Sequence, residues 1–128
     1  MAKILVIDDS KMMRIYLRRC LEKAGFEVED WVPPSAMEVA EYLTGSKPDL
    51  ILADYQMPGC NGATVARMAQ KVVPQTPMVI LTAIRDEELH VNLRKLGVKD
   101  VLTKPIDQED LAAAVRTYLG ASTPSALP

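Results

Sequence analysis

Five polar residues stand at the ends of four apolar runs. Asp8 and Asp9 follow Ile4-Leu5-Val6-Ile7, Asp54 follows Leu50-Ile51-Leu52-Ala53, Thr82 follows Met78-Val79-Ile80-Leu81, and Lys104 closes the segment that begins at Val98. Three carboxylates crowded together repel one another, and a cation between them makes the arrangement tolerable. An all-oxygen donor set selects a hard ion, and partly hydrated, octahedral Mg2+ suits a site with few protein ligands. The three negative charges of the aspartates then balance against Mg2+ and Lys104. Such a site is ready to accept a phosphoryl group whose oxygens the ion and the lysine can hold. A central Asp can act as nucleophile and form an acyl phosphate. Stabilising charge on the transferring group is the main work a protein does in phosphoryl transfer. The Thr82 hydroxyl is a further donor to a phosphoryl oxygen, and the small Ala83 beside it leaves room for the incoming group.

These residues can act together only if four strand ends meet, and the remaining sequence supplies the elements for that. After the first run, Ser10 can cap a helix whose apolar positions Met13, Tyr16, Leu17, Cys20, Leu21 and Ala24 recur until Gly25. The segment from Val28 to Val32 carries Glu29 and Asp30 and reads as a strand at a sheet edge. Ser35 can cap a second helix, with Val39 and Leu43 inward and Gly45 as its stop. A turn-rich loop from Met57 to Gly62 follows Asp54, and a third helix from Ala63 to Val73 is closed by Pro74. Leu89, Leu93 and Leu96 mark a fourth helix, stopped by Gly97; a last strand runs from Val98 to Thr103. Asp107 starts the last helix, which buries Leu111, Val115 and Leu119. Strands alternating with helices imply parallel pairing through right-handed crossovers, with helices on both faces. Continuous apolar runs fit strands buried on both sides. The expected architecture is α/β: a five-stranded parallel sheet of order 2-1-3-4-5, a flavodoxin-like doubly wound (βα)5 unit. In that order strands 1, 3, 4 and 5 are neighbours, so the five polar residues converge on one patch.

Composition narrows the function. The chain has 128 residues, 48% hydrophobic and 25% charged, with a formal net charge of -2, as expected of one globular domain. That domain is expected to span residues 1–119. Residues 120–128, small, polar and proline-bearing, read as a flexible tail or the start of a linker. No apolar stretch is long enough to span a membrane, and the start has no signal-peptide layout. Cys20 and Cys60 form no metal-ligand pattern, which favours a reduced, cytoplasmic setting. The 15 basic and 17 acidic residues are interspersed, so the domain itself is not expected to bind nucleic acid. No glycine-rich phosphate loop follows the first strand, which argues against nucleotide or flavin binding.

Ile7-Asp8-Asp9-Ser10, Asp54 with Met57-Pro58 and Gly62, Leu81-Thr82-Ala83 and Lys104-Pro105 together resemble the receiver domain of bacterial two-component response regulators. That family includes the single-domain chemotaxis regulator, and the resemblance covers residues 3 to 119. It implies a phosphorylation-dependent signalling switch, in which Asp54 takes a phosphoryl group from a histidine kinase or phosphotransfer protein. It implies that Asp9 and Asp54 bind Mg2+ directly, with Mn2+ as the alternative ion. Asp8 would act through water, and the Gln56 backbone carbonyl would be a further ligand. Lys104 would contact the phosphoryl group, its bond to Pro105 would be cis, and Thr82 would be the switch hydroxyl. Such a domain catalyses only its own phosphorylation and dephosphorylation. It would bind a downstream protein through the face made by the fourth helix, fifth strand and fifth helix. The alternative is the receiver portion of a longer regulator, such as a DNA-binding one. A phosphohydrolase with an Asp nucleophile fits less well, because such enzymes place their acidic pair in a DxD spacing after the first strand.

Two departures from the family stand out: Cys60-Asn61-Gly62 replaces its common Met-Asp-Gly with little effect expected, and the last strand lacks its aromatic residue. Val101 stands where the family usually has a Tyr or Phe that rotates inward with the threonine. Ile84, bulky and apolar, flanks the phosphoryl position with Gln56 and is expected to shield an acyl phosphate from water. Elsewhere the plain readings are preferred: Cys20 in the core, Cys60 a passive loop cysteine, Trp31 partly buried, and His90 on the surface.

Overall fold

Each apolar run becomes a strand, and each helical stretch between them covers one face of the sheet. The computed structural model describes residues 1–121. The elements alternate as β1 (Lys3–Ile7), α1 (Lys11–Lys23), β2 (Glu27–Trp31), α2 (Val39–Ser46), β3 (Leu50–Asp54), α3 (Gly62–Val72), β4 (Met78–Thr82), α4 (Glu87–Lys95), β5 (Asp100–Thr103) and α5 (Gln108–Ala121). All pairings are parallel, in the order β2-β1-β3-β4-β5, as the sequence predicts.

Successive side chains of a strand point to opposite faces, so each continuous run feeds two cores. Ile4, Val6, Leu50, Leu52, Val79 and Leu81 pack with Leu17 and Leu21 of α1 and Leu111 and Val115 of α5. Leu5, Ile7, Ile51, Ala53, Met78 and Ile80 pack with Val39, Leu43, Val65 and Leu93 of α2, α3 and α4. Burying one such leucine contributes about 2 kcal/mol, so the central strands carry much of the stability. The polar strand β2 sits at the edge, where Trp31 stacks on Tyr42 of α2 with ring centroids 3.9 Å apart.

Several boundaries differ from the sequence reading. α2 does not begin at Ser35 and does not stop at Gly45. Ser35 directs its hydroxyl to Glu38 at 2.6 Å, and a 3-10 turn at Ala36–Glu38 precedes the helix. The helix continues through Gly45 and ends when Lys47 turns left-handed at φ 49°, its amide bonding Leu43 O at 3.0 Å. Pro48 explains the stop, since a proline disfavours helical geometry in the residue before it. α5 extends through Gly120 to Ala121; the rest of the expected tail lies outside the described residues.

His90 is a correction. It is buried, 8% exposed, and its Nε2 lies 2.7 Å from the carbonyl oxygen of Ile84. The Asp86 cap starts α4 so that His90 and Leu93, three residues apart, both turn inward. The carbonyl of the preceding loop gives the imidazole a polar partner there. Among the described residues no helix is long and apolar enough to cross a membrane.

Candidate functional site at the carboxyl ends of the strands

The register brings the predicted residues to one rim of the sheet. Ile7 pairs with Ala53, so Asp8 and Asp54 leave their strands at the same level. Asp54 pairs with Leu81 and Thr82 with Thr103, which places Thr82 and then Lys104 just beyond.

Asp8 is 1% exposed and fixed on several sides. Its Oδ1 accepts the Ser10 amide at 2.9 Å, and its Oδ2 accepts Lys104 Nζ at 3.3 Å. Its carbonyl accepts Arg14 Nη1 at 2.7 Å. Ser10 caps α1 as its position predicts, accepting the Met13 amide at 3.2 Å. Asp9, between these anchored residues, is exposed.

Asp54 is 8% exposed. Its Oδ1 lies 3.5 Å from Lys104 Nζ and accepts the Gln56 amide at 3.4 Å. Burial pushes its carboxyl above the usual aspartate pKa; Lys104 opposes this and the Asp8 charge adds to it. The loop beyond Asp54 is packed tightly against it. A Cβ on Gly62 would lie 3.0 Å from Asp54 O, Tyr55 Cα and Ile80 Cδ1, tighter than an ordinary contact, so glycine suits this approach. Asn61 caps α3 there, accepting the Thr64 amide at 3.0 Å. Gln56 is exposed at the start of this loop.

Thr82 is fully buried, and its hydroxyl oxygen accepts the Ile84 amide at 3.1 Å. The Thr82 carbonyl accepts the Lys104 amide at 2.8 Å, which ties the ends of β4 and β5 together. The Lys104-Pro105 bond is cis. One oxygen each from Asp8, Asp9 and Asp54 lie within 4.8 Å of one another. Opposite ligands of an octahedral Mg2+ are about 4 Å apart, given bonds of about 2.1 Å, so the cluster is close to the span one ion bridges. The all-oxygen donors, two of them nearly buried beside a lysine, suit a hard cation.

These observations agree with a direct comparison. The response regulator receiver domain family matches residues 4–116. The chain belongs to this family. Protein CcdB of Bacillus subtilis is 29% identical over 120 residues, covering 94% of this chain and 99% of that protein. Response regulator MprA of Mycobacterium sp. (strain KMS) is 31% identical over 126 residues, covering 98% of this chain. The chain spans only 54% of MprA's length. A response regulator receiver domain protein from Clostridium thermocellum superposes with a TM-score of 0.85 at 29% identity, covering 96% of this chain and 98% of that one. Receiver domains are signalling domains of two-component systems, and such domains generally bind Mg2+ in an acidic pocket.

The structure thus gathers Asp8, Asp9, Asp54, Thr82 and Lys104 at one rim, with Gln56 beside Asp54. Two residues were missed by sequence reasoning. Arg14 reaches back to the Asp8 carbonyl while its Nε lies 3.3 Å from Asp30. Its position one turn into α1, four residues after the cap, was the only available signal. His90 was missed because a lone polar residue among charged helix positions reads as solvated. Cys60 is buried, and that burial pushes its thiol pKa up, as suits a passive cysteine. Val101 is 7% exposed and pairs with Ile80, an aliphatic position in an aliphatic core.

Proposed function

We propose that this receiver domain is a phosphorylation-dependent switch, with Asp54 as the phosphoryl acceptor. The observation that carries the reading is the placement of Asp54: buried on the floor of an acidic rim, with Lys104 3.5 Å from its carboxylate. A histidine kinase or phosphotransfer protein is the donor. An Asp54 oxygen attacks phosphorus, the bond from phosphorus to the donor's imidazole nitrogen breaks, and that nitrogen keeps the electron pair. The product is an acyl phosphate on Asp54 and a neutral histidine.

Asp8, Asp9, Asp54 and the Gln56 carbonyl are the residues that would hold Mg2+. Bound there, the ion supplies charge neutralisation for the phosphoryl oxygens. The chain's own groups do the rest. Lys104 turns from the carboxylates to a phosphoryl oxygen, and Thr82 offers its hydroxyl to another. Beside Lys104 an open hollow of about 620 Å³ is lined by Met13, Tyr16, Ala83, Pro105 and Ile106, and it gives a donor protein an approach to the rim. Output passes to a partner protein through the α4-β5-α5 face. A second reading, that the chain is the receiver portion of a longer regulator, is favoured by its match to 54% of MprA's length.

Intact mass after incubation with acetyl phosphate tests the proposal. One phosphoryl group is expected on the wild type with Mg2+, none with chelator and none on Asp54→Asn. An equal adduct on Asp54→Asn would overturn it.

A further inference from the structure

Next to Thr82 lies a group that the phosphorylation chemistry does not use. The buried His90 imidazole faces the Ile84 carbonyl at 2.7 Å. A carbonyl oxygen can only accept, so Nε2 carries the proton and donates, which fixes the tautomer of the ring. The same residue, Ile84, donates its amide to the Thr82 hydroxyl at 3.1 Å. Thr82 and His90 are therefore joined through one peptide segment, gripped at its amide by β4 and at its carbonyl by α4. The His90 amide bonds Asp86 O at 3.1 Å, the first backbone hydrogen bond of α4, so the imidazole projects from the first turn of that helix.

The geometry points to His90 as the latch of the β4–α4 loop, a positioning residue that couples Thr82 to α4. This inference rests on the proposed switch role of Thr82. When the Thr82 hydroxyl turns toward a phosphoryl group on Asp54, it leaves the Ile84 amide. Ile84 is then held only from the α4 side, and the bond to His90 must shift with the loop. Side-chain packing on β5 offers no comparable lever, because the buried Val101 is short, branched and without a polar atom. The imidazole on α4 provides a directional bond instead. A buried hydrogen bond that must be broken or remade is what gives such an element two discrete states.

Two variants separate the donor from the ring. His90→Phe keeps a planar ring and loses the donor; His90→Gln keeps an N–H near the position of Nε2. In the unphosphorylated full chain, amide exchange at Ile84 is expected to rise about fivefold to tenfold in His90→Phe and little in His90→Gln, the loss expected for one hydrogen bond. Equal exchange in wild type and both variants would overturn the latch, whatever the site does. The wild type carries the second arm, with beryllofluoride and Mg2+ as the phosphoryl stand-in. The His90 Nε2–H resonance is expected to move together with that of Thr82, and neither to move in Asp54→Asn. A Thr82 resonance that moves while His90 stays fixed would leave the switch reading intact and refute the latch. If neither moves in the wild type, the switch reading fails and takes the coupling with it.

Discussion

Asp30 near the end of β2 and Asp54 at the end of β3 carry the same side chain, yet their surroundings push them in opposite directions. At Asp30 the guanidinium of Arg18, 2.8 Å away, holds the carboxyl below the usual aspartate pKa against the cost of burial, and Arg14 adds to the effect. At Asp54 burial wins over Lys104, and the carboxyl is pushed up. The edge strand settles its charges by pairing. The rim instead gathers like charges and leaves them under-compensated, which suits the proposed binding of a cation and a phosphoryl group. Stability is thus spent at the rim and recovered at the edge and in the two cores. Arg14 touches both regions, tying the Asp8 carbonyl to Asp30.

Changing one region at a time separates the rim from the edge. The largest effect is expected at the rim. Lys104→Ala should slow phosphorylation by acetyl phosphate by about a hundredfold, the usual loss for one positioned donor to a transferring group. Unchanged initial rates by intact mass would show that Lys104 only neutralises the apo site. Next is the ion itself: Mg2+ at a hundred times its Kd should raise wild-type stability by about 2.7 kcal/mol, read as a shift in urea midpoint. Asp9→Asn should remove most of that shift while changing the metal-free protein little.

Smaller effects carry opposite signs. In chelator at neutral pH, Asp54→Asn should stabilise the fold by about 1 kcal/mol, because it removes a carboxylate that is ionised against its burial. That penalty is absent below the ordinary aspartate pKa of about 4 and grows as pH rises through the raised Asp54 value. Asp30→Asn should destabilise by roughly 0.5 kcal/mol at neutral pH, since its pairs are partly exposed. The Asp30 contribution is complete above a pH of about 4 and is lost as pH falls through its lowered value. Urea melts of both variants across this range should therefore converge on the wild type from opposite sides. Convergence from the same side would mean that the rim and the edge do not differ as described.

Much of this was legible in the sequence. Strand order and the convergence of Asp8, Asp9, Asp54, Thr82 and Lys104 followed from where apolar runs ended, because burial on both faces leaves few arrangements for such runs. Caps at Ser10 and Asn61 sit where short polar residues before helical stretches are expected, although Asn61 was read only as part of a turn. What failed was local competition. Ser35 found a side-chain partner in Glu38 in place of a backbone amide, and Gly45 was outweighed by the demands of Pro48. The partners of Arg14 and His90 were not legible, because each depends on a carbonyl whose direction is set only once strands and helices have docked.

Of the three clustered carboxylates, Asp54 is the proposed phosphoryl acceptor. Borohydride reduces an acyl phosphate to an alcohol, so treatment of the acetyl-phosphate-labelled protein followed by peptide mapping reads the acceptor directly. Homoserine is expected at position 54, with Asp8 and Asp9 unaltered. Homoserine at position 8 or 9, with Asp54 intact, would contradict the assignment.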